Sequence, residues 1–495
     1  MIDVAALLDA VGQLWSISNF LLIVTGVAVG IVVGVMPGLG APLGIAIALP
    51  FTFYLDASGS FSLLLGIYSG ATYGGSISAI VLGIPGTASA AATVVDGHPL
   101  FRKGSGNQAL VLSLVGSVIG GLVSTVFLTL LAPVLASFAL RFGPPEYFAL
   151  GVFGVSVVGL ISGESLLKGL IMGAVGIFLT TIGIDPVNGN VRFTFGSVDL
   201  YAGLPLIPLL VGLFALPEML EKSETIVRRE VPKLASRLKL PSFASLWTHK
   251  FNFLRSSLIG TVIGIIPAEG GAIGAFVSYG EAKRSSRKPE EFGHGSPEGV
   301  VAAETANNAT VGGALVPTLT LGVPGSAAAA VLLGALLIQG LDPGPRLFVD
   351  APELVYYIFV SLFVINLVML FLGWVAIGSA IKLIKVPDQI LIPIVLILAF
   401  VGSYATVGSL YGVWILLLVG LAGYVLKKFG FPLVPVVLGF VLGGMIERSF
   451  RHSLTIADGN LAIFITRPIS LTIFLLMILA LLAPAVSSWL ARRRS

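Results

Sequence analysis

An all-α polytopic membrane protein with two internally repeated halves is the fold class this chain predicts. Three observations predict it: composition, long charge-free runs, and a set of duplicated glycine/proline motifs. Only 11% of the 495 residues are charged and 56% are hydrophobic. Mean hydropathy is +1.02, which makes lipid the natural solvent. Residues 10–55, 57–95, 104–140, 305–341 and 389–426 contain no Asp, Glu, Lys or Arg. Several of these runs exceed the ~20 residues of one crossing, so they must hold helix pairs or broken helices. Together with 146–162, 165–184, 200–217, 353–381, 432–446 and 468–490 they predict about 10–13 membrane segments.

The third observation carries function. GVMPGLGAPLG at 34–44 returns as GIIPAEGGAIG at 264–274, and ATYGGSISAIVLGIPGT at 71–87 returns as ATVGGALVPTLTLGVPGS at 309–326. Matched breaks in two apolar halves point to the binding site of a secondary transporter. The expected organisation is a first membrane repeat over 1–217 with breaks near Pro37 and Pro85, then a basic cytoplasmic linker over 218–255. A second repeat over 256–495 has breaks near Pro267 and Pro324. An inverted relation of the halves is expected, because internally duplicated carriers with broken helices are commonly built so.

Charge placement supplies orientation. The formal net charge is +4 and the isoelectric point near 9.2, but the basic residues sit in short polar interruptions, not in a nucleic-acid-binding face. Lys222, Arg228, Arg229, Lys233, Arg237, Lys239, Lys250 and Arg255 crowd one interruption, and Lys283, Arg284, Arg287 and Lys288 another. The positive-inside rule puts both in the cytoplasm, with Lys427, Lys428 and the terminal ARRRS. Segment 256–280 must then enter and return on one side as a hairpin. The N-terminal 16 residues lack a basic region of signal-peptide type, so the first spans are expected to be retained. Cysteine is absent, which excludes disulfides and thiolate metal sites.

The breaks have a chemical meaning. Proline interrupts the helical hydrogen-bond ladder and glycine permits positive φ, so PGLG and GIPGT should open a helix. Such an opening is tolerated at membrane depth only beside water, protein or ligand. Helix N-termini after Pro37, Pro85, Pro267 and Pro324 would aim free N–H groups at a cavity, a geometry that attracts carboxylates. Each charged hydrogen bond is worth roughly 1.5–3 kcal/mol. Three or four would leave roughly 4–8 kcal/mol after costs, a millimolar to micromolar site. No buried Arg or Lys is required. Kinked or tightly packed helices would explain the same motifs without a ligand, but not their duplication.

The residues expected at the substrate are Gly38, Gly40, Thr72, Gly74, Gly75, Ser76, Gly86 and Thr87 in the first half. Those of the second half are Asn307, Asn308, Thr310, Gly312, Gly313, Gly325 and Ser326. Glu304, Asn307 and Asn308 stand at i, i+3 and i+4 and are expected to share one helix face. An intramembrane acid can bind a coupling ion, so Glu269, Glu304 and Asn307 are the coupling-ion candidates; Glu304 could instead be an interfacial cap. Thr87 and Ser326 either reach ligand or cap the new helices. Gly26, Gly30 and Gly34 form a small-residue stripe suited to close helix packing. The four histidines have no metal-ligand spacing. HExxH, GxSxG and Walker A sequences are absent, so a catalytic or ATP-hydrolysing role is not expected, and transport should draw on an ion gradient.

At these residues the chain resembles a family. GVMPGLG, YGGSISAIVLGIPGT, DGHPL, EFGHG, AETANNATVGGALVPTLTLGVPGSAAAAVLLGALL and GLDPGPRLF are similar to signatures of the large membrane subunit of tripartite tricarboxylate transporters, the TctA family, over roughly residues 15–450. The resemblance implies a multi-pass protein of the bacterial inner membrane that works with a small TctB-like membrane subunit and a periplasmic TctC-like solute-binding protein. It also implies di- or tricarboxylate substrates and a coupling cation, Na+ or H+, with no other cofactor. Alternatives are a stand-alone carboxylate carrier and, further off, a channel or membrane-embedded enzyme. The family's second break reads Pro-Gly with a small uncharged residue next, whereas this chain has Pro267, Ala268 and Glu269. Glu269 is thereby expected to bind a coupling cation or pair with a basic loop residue.

Overall fold

The computed structural model describes residues 4–161, 165–185, 188–224, 246–266, 270–384 and 386–494. These are helical almost throughout. The β-structure among them is one two-residue antiparallel pair, Gly183–Ile184 with Val191–Arg192. The numbered helices are α1 (Val4–Leu14), α2 (Ile17–Val35), α3 (Gly40–Thr52), α4 (Ala57–Leu82), α5 (Ala91–Leu100), α6 (Gly106–Ala139), α7 (Pro144–Ile161), α8 (Leu166–Thr180) and α9 (Leu206–Glu224). They continue as α10 (Lys250–Ile265), α11 (Gly270–Ser285), α12 (Pro297–Leu321), α13 (Ala327–Ile338), α14 (Pro352–Ile384), α15 (Asp388–Val407), α16 (Leu410–Lys428), α17 (Val434–Ile456) and α18 (Pro468–Arg494). Six helical stretches among the described residues are long and apolar enough to cross a membrane, and four shorter apolar helices accompany them. The polytopic all-α expectation holds.

Sequence sets the helix ends. Ser16, Asp56, Ser296 and Ser326 each accept a backbone N–H three residues on, which satisfies an orphan donor at the start of α2, α4, α12 and α13. Helices α4 and α12 end alike. Gly83 (φ 70, ψ 17) and Gly322 (φ 69, ψ 16) occupy the left-handed region that glycine adopts without strain. Each glycine is followed two residues later by the proline of its Pro-Gly break, Pro85 or Pro324.

These two helices form the centre. Every residue of α4 from Ser58 to Val81 and of α12 from Gly299 to Thr320 is buried. Hydrophobic burial gives little drive in lipid, so packing and hydrogen bonds must hold such helices; small residues permit the required approach. Gly26, Gly30 and Gly34 of α2 abut the backbone of Leu63, Ile67 and Ala71 on α4, while Gly260 and Gly264 of α10 abut Ala306 and Thr310 on α12. The glycine stripe thus serves packing. A further set, Gly116 and Gly120 of α6, lies against Thr305. Outer helices present Leu130, Val134, Phe371, Leu418 and Leu475 on exposed faces, as a lipid-facing surface requires.

The expected break near Pro37 lies between α2 and α3, with Gly38 (φ 86) and Gly40 (φ 60) in the left-handed region. Helices α10 and α11, which flank Pro267 in segment 256–280, pack against each other and against α12. Pro267, Ala268 and Glu269, between them, lie outside the described residues, as does 225–245 of the expected basic linker. Helix α9 continues through 218–224 and α10 starts at Lys250, because apolar Leu220 and Phe253 carry the buried faces of these helices into charged sequence.

Candidate substrate cavity

Residues that flank or follow the four breaks line one cavity of about 270 Å3. Its wall includes Leu39–Leu43 at the start of α3, Thr87–Ser89 before α5, Gly264 and Gly270–Ala272 at the turn into α11, and Gly325–Ala328 at the start of α13. Tyr68 and Thr72 of α4 face Thr310 and Ala314 of α12 across it. Four helical starts, separated by up to 288 residues of sequence between Gly40 and Ala328, therefore converge on one space. The first N–H groups of a helix lack internal partners, and their combined dipoles favour an anion. The volume is at the small end of the ~300–1,000 Å3 usual for ligand pockets, suited to a compact molecule.

Of the predicted residues, Gly40, Thr72, Thr87, Thr310, Gly325 and Ser326 line this cavity. Ser326 also caps α13 and exchanges a 2.8 Å hydrogen bond with the Tyr68 hydroxyl. Thr87 makes no cap and instead bonds the Ser89 hydroxyl at 3.1 Å. Several glycines act behind the wall. Gly74 packs on α2, Gly75 lies under Thr87, Gly86 lies on Gly75 and Gly34, Gly312 on Ser124, and Gly313 on Thr261 and Gly264. Gly38 lies beside Glu218 and Lys222.

The predicted common face of Glu304, Asn307 and Asn308 divides. Neither Asn lines the cavity. Asn307 donates to the Thr72 carbonyl at 3.4 Å, and Ser76 and Asn307 both lie beside the Glu304 carboxyl. Asn308 turns the other way, toward Ser124 and Asn366. Successive helical residues point about 100° apart, so adjacent asparagines cannot both face one neighbour. Glu304 is no interfacial cap: it is completely buried in mid-helix.

A charged cluster borders the cavity. Glu218 is the charged side chain lining it among the described residues. Its carboxylate accepts from Lys427 at 2.9 Å, and Lys427 also reaches Glu221 at 2.6 Å. The lysine offsets an acid that would otherwise repel an anion. Beyond Glu218 a second recess of about 460 Å3 opens, lined by Lys427, Gly430, Phe431 and Pro432, and sharing Phe214, Glu218 and Val434 with the cavity wall. The available signal was Glu218 and Glu221 standing one helical turn apart next to an apolar run.

Residues 20–438 match the tripartite tricarboxylate transporter TctA family. The chain belongs to this family. A 52.8 kDa uncharacterised protein of Agrobacterium vitis, from the TAR-I ttuC' 3' region, is 37% identical over 480 residues, covering 95% of this chain and 94% of that protein. A second Agrobacterium vitis protein, from the TAR-II ttuC' 3' region, is 34% identical over 232 residues, covering 46% of this chain and 96% of its own length. No solved structure matches. As a TctA-family chain with six apolar helices of spanning length, the protein is a multi-pass membrane component of a transporter that has other subunits.

Proposed function

We propose that this TctA-family chain is the permease subunit of a binding-protein-dependent secondary transporter in the bacterial inner membrane, importing di- or tricarboxylates by cation-coupled alternating access. The single observation that carries the reading is the convergence of four helix starts on one small cavity. Backbone N–H groups suit carboxylates without a buried basic side chain in direct contact, and the hydroxyls of Thr87, Ser89 and Ser326 line the same space, while those of Thr72 and Thr310 donate to the helix carbonyls of Tyr68 and Asn307. The two central helices supply walls from both halves of the chain. A rocking or sliding of one half on the other would change which end of the cavity opens.

The recess beside Lys427 is the cytoplasmic exit in this reading, since Lys427 and Lys428 lie on the side that the positive-inside rule assigns to the cytoplasm. A small membrane subunit and a periplasmic solute-binding protein complete the system, the latter selecting which carboxylate arrives. The test is uptake of radiolabelled citrate, succinate and malate into vesicles containing the chain and both partners. Saturable uptake should require the binding protein and respond to an imposed Na+ or pH gradient without ATP. Gradient-insensitive, non-saturable flux would refute the carrier reading in favour of a channel.

A further inference from the structure

A second polar cluster lies outside the cavity lining, deeper between the central helices. Glu304 on α12 is 0% exposed. Its carboxylate accepts the Thr93 hydroxyl at Oε1 and the Ser117 hydroxyl, 3.2 Å away, at Oε2. The side chains of Ser76 and Asn307 lie beside the same carboxyl, and Ser76 is bonded in turn to Ser113 at 2.6 Å. Two buried atoms here, the Tyr73 hydroxyl and Asn307 Oδ1, have no hydrogen-bond partner among the described residues. Oxygen atoms from α4, α5, α6 and α12 thus surround one acid.

Charge balance defines what the cluster can hold. No described lysine, arginine or histidine forms an ion pair with Glu304. Tyr73 is a second titratable group beside it. A buried carboxylate without a counter-charge is costly. One positive charge would balance it, whereas a divalent ion would call for further acids; no group of three or more His, Cys, Asp or Glu occurs among the described residues. The site therefore suits a single proton or sodium ion, with hydroxyl and amide oxygens for the latter.

The cluster also connects to the cavity. Ala88 and Ser89 form part of the cavity wall. They open the short helical turn that runs directly into α5, whose Thr93 holds Glu304. Three residues of continuous helical backbone, 90–92, therefore separate the cavity-wall residue Ser89 from Thr93, the partner of the acid. This stretch of backbone offers a route by which an anion that shifts 88–89 would shift Thr93, and by which occupancy at Glu304 would be felt at the wall. Reciprocal linkage between the two ligands follows.

We propose that Glu304, with Thr93, Ser117, Ser76 and Asn307, binds the monovalent cation that drives transport, and that Thr93 is the positioning residue tying its occupancy to the anion cavity. Cation occupancy at Glu304 stands apart from the carrier reading above; that the cation drives transport, and its tie to the anion cavity, rest on that reading. The first test needs no substrate. The purified full-length chain is assayed for 22Na+ binding and for a protonated-carboxyl infrared band that titrates with pH. One of the two signals is expected in the wild type and is lost in Glu304→Gln; which one appears distinguishes sodium from proton. A wild type with neither signal, or a signal that survives Glu304→Gln, overturns the proposal.

The second test measures binding of radiolabelled citrate, succinate and malate to the chain reconstituted with its partners, at high and low concentration of the identified cation. Wild-type affinity should change about tenfold. Thr93→Val should reduce that dependence below twofold and Thr93→Ser should restore it, with all variants monodisperse by size exclusion. A Thr93→Val protein that keeps the tenfold dependence overturns the linkage. Failure of the wild type to bind any carboxylate would refute the carrier reading, while cation occupancy at Glu304 would still be decided by the first test.

Discussion

Replacing Asp96 by alanine should release the connection between α5 and the loop that leads into α12. The Asp96 side chain is fully buried, and Oδ1 accepts three backbone N–H groups, from Gly293 at 2.8 Å, Gly295 at 2.7 Å and Ser296 at 2.8 Å. Oδ2 accepts the Tyr279 hydroxyl at 2.8 Å. Gly293 (φ 89) and Gly295 (φ 100) adopt the left-handed backbone that lets their N–H groups turn toward one point. Asp96 thus fastens α5, the helix that follows the wall residues 87–89, to a loop about 200 residues further along the chain. Leaving a buried donor unpaired costs about 1–3 kcal/mol. Gly293 and Gly295 are partly accessible, so water replaces some of their loss, and a total of about 3–4 kcal/mol is reasonable. At 1.4 kcal/mol per factor of ten this corresponds to roughly 100- to 1,000-fold faster opening of the loop. Hydrogen exchange of the Gly293, Gly295 and Ser296 amides in detergent reads it directly. Asp96→Asn, which keeps one acceptor oxygen, should fall between. Unchanged protection of these three amides in Asp96→Ala would refute the reasoning.

Two further perturbations probe other parts of the account. Lys427→Met removes the cation paired with Glu218 on the cavity wall, and with both groups partly solvated the expected loss of anion affinity is about tenfold; adding Glu218→Gln should recover most of it, as isothermal binding titration of the single and double variants would establish. Gly30→Val tests the α2–α4 contact. A β-carbon at Gly30 would lie 2.9 Å from both the Ala71 nitrogen and the Ile67 Cα, backbone atoms that cannot rotate away. Destabilisation of at least about 1–3 kcal/mol is expected, read as a lowered melting temperature of the purified chain.

Much of the architecture was legible because its determinants are local. Gly83 and Gly322 end helices, Ser296 and Ser326 begin them, and proline two residues past a left-handed glycine prevents continuation. Convergence of the breaks could be expected from their duplication, since a repeated opening needs a shared polar environment. The functions of individual glycines were harder to assign. Gly74 and Gly313 appear in the same motif as Thr72 and Thr310, yet they serve helix contact while the threonines reach the cavity. Glycine permits both, and sequence does not state which neighbour approaches.

Side chains whose role depends on a distant partner were not legible. Thr93 and Ser117 are unremarkable residues in apolar runs until α12 places Glu304 between them. Asp96 stood in the DGHPL motif with no visible purpose, because its partners are backbone N–H groups. Glu218 and Lys427 stand at the charged ends of apolar runs, 209 residues apart, and nothing local marks them as partners. The end of a helix can be both basic and part of a cavity wall, a combination that charge-counting along the chain does not distinguish.

The central claim is that the space between the four helix starts holds a carboxylate. Because the chain has no native cysteine, Ser89→Cys introduces a single thiol on the cavity wall. Its rate of modification by a small water-soluble methanethiosulfonate reagent, with and without citrate, succinate or malate, tests that claim most directly. The account predicts that a transported carboxylate slows the modification in a saturable manner, while a control cysteine on the outer face at Leu418 is unaffected. Equal rates at Ser89→Cys with and without a carboxylate that the reconstituted system takes up would contradict it.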